Sequence, residues 1–260
     1  VDHILSVCTG IGGLDLGLHA GLRAVGRSPR TVCMVEREAF TVAVLGKAMQ
    51  EGRLDACPVW CGDLADLPTA DLPRVDWYTG GYPCQPFSSA GKRRGADDRR
   101  HLWPVIAGQL KALRPRGVFF ENVAGHLTLG LRDVLADLEE LGFRCAFGLY
   151  SASEIGAPHR RERVFILGLA DADGERGRGG DQQRQDAEDA RQSSRHSWPS
   201  RPGNPQRCDE PSRTVEPRLG RNADGVSDRV DRLRALGNAV VPQQAELAFI
   251  RLWNLLQETA

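Results

Sequence analysis

What most constrains the fold of this chain is an alternation. Over the first 170 residues, short apolar runs take turns with longer stretches of helical spacing. Ile4–Cys8, Thr31–Val35, Val75–Thr79, Gly117–Glu121, Phe143–Tyr150 and Val164–Leu169 read as strands. Between them, Leu14–Ala24 reads as a helix with Leu14, Leu18 and Leu22 on one face. Ala39–Gln50, Leu102–Leu113 (stopped by Pro115) and Leu131–Leu141 (closed by Gly142) follow the same helical spacing. Strands and helices in this order predict an α/β domain, a mainly parallel sheet with helices on both faces. Ligands of such sheets bind where the strands end, so the residues after each strand matter most.

Beyond residue 170 the character changes. Between Asp171 and Pro217 the chain is mostly Arg, Asp, Glu, Gln, Gly, Ser and Pro, with Trp198 and Val215 almost alone as apolar residues. Such a stretch buries too little to offset its ordering entropy, and is expected to be a solvated linker or a segment ordered by a partner. The globular pattern resumes near Val230, and Gln243–Leu256 reads as a final helix. The expected organisation is therefore 1–170, a polar region 171–229, and a returning segment 230–260. Formal net charge is zero, so a nucleic-acid partner has to be argued from local basic patches. No apolar run approaches the roughly 20 residues of a membrane span. VDHILSVCTG enters a strand directly, without the pattern of a signal peptide, and Val1 stands where an initiating Met would. Seven scattered cysteines read as reduced thiols in a cytoplasm. Cys57 and Cys61 lack two further ligands at similar spacing, so no metal site is expected.

Three features in order along the chain suggest a nucleoside-bearing cofactor. SVCTGIGGLDLGL puts Gly10, Gly12 and Gly13 in the first strand–helix turn. There glycine lets the backbone turn sharply and approach a ligand, or simply packs the helix. The spacing is not G-x-G-x-x-G, which argues against a pyrophosphate. Glu36 ends the second strand, placed to accept hydrogen bonds from ribose hydroxyls. Asp63 follows in CGDL, where it can accept from an exocyclic amine. Taken singly, each acid also reads as a surface carboxylate.

A second group carries reactivity. In GGYPCQPFSSAGKRRG, Cys84 lies on a proline-stiffened loop after a strand, followed by Lys92, Arg93 and Arg94. A thiol there is a candidate nucleophile, because nearby cations favour the thiolate. Glu121, in GVFFENV, ends another strand, where partial burial would raise its pKa and fit it to donate a proton. Arg161 and Arg163, in HRRERVF, alternate with Arg160 and Glu162 and are expected to point together toward the same rim, or else to form a surface ion-pair cluster.

PCQPFS, then ENV, then R-x-R before a strand, then GNAVVP, in this order, resembles the cytosine-C5 DNA methyltransferases. The resemblance covers residues 3–169 and 233–257. It implies a Rossmann-like class I methyltransferase fold, with 1–170 as the cofactor-binding and catalytic domain and 171–229 as a short, irregular target-recognition insertion. The segment 230–260 would return to the catalytic domain. The implied reaction is transfer of a methyl group from S-adenosylmethionine to C5 of a cytosine flipped out of duplex DNA, leaving S-adenosylhomocysteine. Cys84 would add to C6, Glu121 would protonate N3, and Arg163 with Arg161 beside it would steady the pyrimidine O2 and the cysteine loop.

The resemblance also implies the cofactor's surroundings. Cys8, Gly10, Ile11, Gly12, Gly13 and Leu14 would form the methionine-side loop. Glu36 and Arg37 would lie at the ribose, Asp63 and Leu64 at the adenine, and Pro83 and Leu102 near the transferable methyl. Asn238 and Val240 would complete the pocket. Gln85, Ser88, Lys92, Arg93, Arg94 and Arg99 would meet DNA on a loop hinged near Gly91 and Gly95. A monomeric bacterial or phage-encoded protein of the cytoplasm is expected.

The pattern departs from the family in four places. Cys8 stands where Phe is usual, Arg37 where an aromatic often follows the acid, and His159 where Gln commonly opens Q-x-R-x-R. The target-recognition region is only the polar stretch 171–229. An RNA cytosine-5 methyltransferase and a catalytically silent DNA-binding relative therefore stay open as alternatives.

Overall fold

Seven strands form one sheet in the order β3-β2-β1-β4-β5-β7-β6 in a computed structural model, which describes residues 1–83, 102–170 and 229–258. The strands are β1 (Asp2–Val7), β2 (Pro29–Val35), β3 (Val59–Trp60), β4 (Trp77–Gly80), β5 (Gly117–Val123), β6 (Phe143–Ser151) and β7 (Glu162–Ala170). The helices are α1 (Gly13–Ala24), α2 (Ala39–Gln50), α3 (Trp103–Leu113), α4 (Leu131–Glu140), α5 (Arg229–Asn238) and α6 (Pro242–Glu258). Only β7 runs against the rest, wedged antiparallel between β5 and β6. Because the chain steps outward from β1 in one direction and from β4 in the other, β1 and β4 flank the switch point where such sheets open a crevice.

The expected elements appear within a few residues of their predicted ends. Two were not expected. β3 has only two residues, too few for any periodicity to show. α5 begins at Arg229, directly after the polar stretch, and its composition is that of its polar surroundings. Among the described residues, no helix is long and apolar enough to cross a membrane, and no group of three or more His, Cys, Asp or Glu side chains is placed to hold a metal ion.

Alternate residues of the strands supply two cores. On one face Leu5, Val7, Tyr78, Phe120 and Ile166 pack with Ile106 and Leu110 of α3 and with Leu131, Val134 and Leu138 of α4. On the other, Ile4, Trp77, Phe119 and Phe165 pack with Leu14, Leu18 and Leu22 of α1 and with Ala245, Ala248, Phe249 and Leu252 of α6. The first and last helices thus share one core, although residues 171–228 separate their sequences.

Their close approach rests on a glycine stripe. A Cβ on Gly13 would fall on the carbonyl oxygen of Val240, one on Gly17 would come within 2.6 Å of the carbonyl oxygen of Pro242, and one on Gly21 would strike the Phe249 ring. Gly17→Ala is therefore expected to lower stability by about 1–3 kcal/mol, because backbone atoms of α6 cannot step aside. That cost exceeds the roughly 1 kcal/mol gained from alanine's helix propensity. Gly46→Ala, in α2 where the space is open, is expected to raise stability by about 0.4–1 kcal/mol. Denaturant titration of the two variants checks the opposite signs.

Candidate active site

Loops at the carboxyl ends of five strands, together with α5, enclose a cavity of about 370 Å³. After β1 come Cys8 and Gly10; after β2, the stretch Glu36 to Thr41; after β3, Gly62, Asp63 and Leu64. Gly81, Tyr82 and Pro83 follow β4, and Glu121, Asn122 and Val123 close β5. Arg163 reaches in from β7, and Asp231, Ala235, Gly237 and Asn238 from α5. A narrower recess of about 20 Å³ adjoins it, lined by Ile11, Leu14, Asp15 and Val240 among others.

Glu36 ties the walls together. One of its oxygens accepts from the Gly10 backbone N–H at 2.9 Å, and the other from those of Arg37 and Glu38 at 2.7 and 2.9 Å. A carboxylate offers about four acceptor sites, so one is left for a hydroxyl in the cavity. Asp63 caps a short 3-10 turn by accepting from the Ala65 N–H at 3.0 Å. Its loop is pinned from two sides: Trp60 Nε1 donates to the Asp63 carbonyl, and Gln109 Nε2 donates to that of Leu64. Leu102, which precedes α3, also lines the cavity.

The glycine loop divides its work. Gly10 takes φ +57° and faces both spaces. Gly12 and Gly13, expected beside a cofactor, line neither. Gly12 takes φ +83° with its α-carbon against Leu54, and Gly13 meets Val240. Their smallness serves packing, the alternative the sequence left open. Cys8 sits at φ +49°, a left-handed conformation unusual for a side-chain-bearing residue. Burial pushes its thiol up to about 12, with Glu36 adding to the effect, so it stays protonated and unreactive.

Glu121 and Arg163 form the reactive end. β5 and β7 pair antiparallel with Glu121 opposite Phe165 and Val123 opposite Arg163, which makes Glu121 and Arg163 diagonal neighbours on one face. Arg163 Nε donates to Glu121 Oε1 at 2.9 Å. The reversed strand is what delivers the arginine. Burial nevertheless outweighs Arg163 and Arg161 and raises Glu121 from 4.5 to about 7, so much of the carboxyl keeps its proton at neutral pH. Asn122 does not reach into chemistry: its Nδ2 donates to the Tyr82 carbonyl at 3.1 Å, and its Oδ1 accepts from the Val123 N–H. Tyr82 in turn donates from its hydroxyl to His126 Nε2 at 2.8 Å, an assignment fixed by His126 Nδ1 donating to the Leu129 carbonyl. These bonds anchor the chain up to Pro83. Cys84, the next residue, lies outside the described residues, as do Gln85, Ser88, Lys92, Arg93, Arg94 and Arg99.

Arg161 is not where the alternation put it. It precedes β7 at φ +31°, so strand geometry does not extend to it. Its guanidinium donates to the carbonyls of Gly237 (3.0 Å) and Ala239, and it lines neither space. Its neighbours Arg160 and Glu162 do form a surface ion pair, at 2.8 Å. His159 is exposed on the same turn.

Three residues escaped the sequence reading. Phe40, in the first turn of α2, brings to the cavity an aromatic ring that neither Cys8 nor Arg37 supplies. Its place at the start of the helix that follows Glu36 was the available signal. Asp231 arrives on the unforeseen α5. Asp15 is buried beneath the glycine loop, where Ser6 Oγ donates to one of its oxygens at 2.8 Å and the other has no partner among the described residues. Burial raises it to about 7.

A seven-stranded sheet with one reversed strand near its edge, open at the switch point between β1 and β4, defines the class I methyltransferase fold. The model of the C-5 cytosine-specific DNA methylase family matches residues 3–204, and the chain belongs to that family. Among curated relatives, it is 31% identical over 176 residues to the type II methyltransferase M.NgoBV of Neisseria gonorrhoeae, covering 63% of this chain and 40% of that protein. It is 32% identical to M.NlaX of Neisseria lactamica, covering 65% and 53%. The chain thus spans about half or less of the length of these relatives. Among solved structures, a DNMT2 variant of Spodoptera frugiperda superposes with a TM-score of 0.55 at 22% identity, covering 70% of this chain and 54% of that one. The Dnmt2 methyltransferase of S. pombe superposes at 0.54 and 20% identity, covering 76% and 57%.

Proposed function

We propose that this chain transfers a methyl group from S-adenosylmethionine to C5 of cytosine in double-stranded DNA. The observation that carries this reading is the ion pair of buried Glu121 with partly buried Arg163 on the wall of the cavity, one strand end from the backbone that leads into Cys84.

The cavity's own residues fit such a cofactor. Its volume lies in the range of small-molecule sites, roughly 300–1,000 Å³. Glu36 has acceptor capacity left for one ribose hydroxyl, Asp63 has it for an exocyclic amine, and Phe40, Leu64 and Leu102 offer apolar surface for a base. Gly10, Ile11, Asn238 and Val240 border the recess where an amino-acid tail would run. When bound, the cofactor supplies an electrophilic methyl group.

The protein's part is to make C5 nucleophilic. The Cys84 thiolate forms a bond to C6, and the C5–C6 π electrons shift toward C5. Glu121 gives its proton to N3, so the ring does not accumulate negative charge. Arg163 holds that carboxyl in one orientation and offers its other N–H groups to the pyrimidine O2. C5 takes the methyl group, leaving S-adenosylhomocysteine. Loss of the C5 proton to a solvent water then re-forms the C5–C6 double bond, Cys84 departs as thiolate, and N3 returns its proton to Glu121. A stacked base is out of reach, so the cytosine has to be flipped out. Lys92, Arg93, Arg94 and Arg99, with Gln85 and Ser88, are proposed to meet the DNA around it, chiefly at phosphates, which position without specifying sequence.

Bisulfite sequencing of plasmid DNA from a host expressing this chain tests the reading. Protected cytosines in one recurrent context, absent from the empty-vector control, are expected. Unprotected plasmid alongside newly methylated cytosines in the host's RNA would replace DNA with RNA as the substrate. Protection of neither would remove the activity from this chain.

A further inference from the structure

Two arginines precede or open β7, and the structure gives them different partners. Arg163 faces the cavity and Glu121. Arg161, though its charge still reaches Glu121, grips the link between α5 and α6, donating to the carbonyls of Gly237 and Ala239. The last carbonyls of a helix have no partner within it, and a cation is favoured there by the helix dipole. Arg161 therefore caps α5 from a distant part of the chain. The grip is returned: Gln244, in the first turn of α6 and fully buried, donates from Nε2 to the Arg161 carbonyl at 2.9 Å and to the Tyr150 carbonyl at 2.8 Å.

The gripped link is also a wall. Gly237 and Asn238 line the large cavity, and Asn238, Ala239 and Val240 line the recess. The Val240 carbonyl rests against Gly13, at the start of α1. The Arg161 guanidinium thus ties the edge of the sheet to a link that in turn packs on the glycine loop.

We infer that Arg161 is a positioning residue that seats the Gly237–Val240 wall, so that it governs affinity for the cofactor while Arg163 serves the base. The inference rests on the function proposed above. In Arg161→Ala, the Kd for S-adenosylhomocysteine, measured by calorimetry on the full chain without DNA, is expected to rise about tenfold or more, the scale of one lost charge-assisted hydrogen bond. The KM for S-adenosylmethionine should rise with it, while kcat at saturating cofactor falls by less than about threefold. Arg161→Lys should recover part of the affinity, since an ammonium can also donate to carbonyls. Arg163→Ala should show the reverse split, with kcat collapsing and cofactor affinity held within about threefold.

An unchanged Kd in Arg161→Ala, with a collapsed kcat, would overturn the inference and return Arg161 to the base. If that variant does not fold, Gln244→Met removes both bonds that Gln244 donates, to the Arg161 and Tyr150 carbonyls, while leaving the Arg161 guanidinium in place, and a rise in Kd of smaller size is expected from it. An unchanged Kd in a folded Gln244→Met would then count against the clasp. Failure of the wild-type chain to bind S-adenosylhomocysteine at all would instead remove the proposed function, and this inference with it.

Discussion

Cys84→Ser is expected to abolish methyl transfer while S-adenosylhomocysteine binding persists. A serine hydroxyl is almost wholly protonated at neutral pH, whereas a thiol near cations supplies a workable fraction of thiolate. The loss should therefore approach the full contribution of covalent catalysis. Cofactor binding should survive, because the walls contributed by β1, β2, β3 and α5 do not involve residue 84. Wild-type protein mixed with DNA carrying a C5-blocked cytosine should form a complex that resists denaturation, and the variant should form none. Residual turnover above about one per cent of wild type would take Cys84 out of its role.

Glu121→Gln is expected to slow the reaction by about 10²-fold or more, the usual scale for losing a placed proton donor. The variant's pH profile is the more telling measurement. Glu121 is raised to about 7, so its acid form is present below that value and is lost as pH rises through it. Wild type should therefore lose, above pH 7, a contribution that the variant lacks throughout, and the rate ratio of wild type to variant should shrink toward alkaline pH. The linkage to stability has the same sign. A carboxyl whose folded value exceeds its unfolded one stabilises the fold at low pH, and that contribution is lost as pH rises through the folded value. A rate ratio that does not change with pH would mean that N3 is protonated by another group.

The sheet and most helices were legible because their signals are local and repeated. Leu14, Leu18 and Leu22 announced the buried face of α1, and Ala39–Gln50 matches α2 end to end. β3 was not legible, since two residues owe their strand geometry to pairing with β2 and not to any pattern of their own. At the site, Glu36 and Glu121 could be placed by counting from strand ends, and Asp63 by its place in CGDL. Arg161 could not. Alternation predicts a side only within a strand, and a left-handed residue just before β7 ends the alternation there. The division among the glycines was hidden for another reason: Gly13 owes its size to the Val240 backbone, remote in sequence, and Gly12 its identity to a left-handed conformation that no pattern announces. Phe40 shows the same limit, because its reach into the cavity depends on where α2 starts relative to β2.

The stripe of Gly13, Gly17 and Gly21 locks α1 to α6, two helices that residues 171–228 hold far apart in sequence. A chain built this way carries 171–228 as an excursion from a frame already closed. Closure entropy grows only as the logarithm of loop length, about 0.6 kcal/mol per doubling. Lengthening, shortening or exchanging residues 171–228 should thus leave the pairing of α1 with α6 standing, so that changes of length there are tolerated by the frame that holds the cavity.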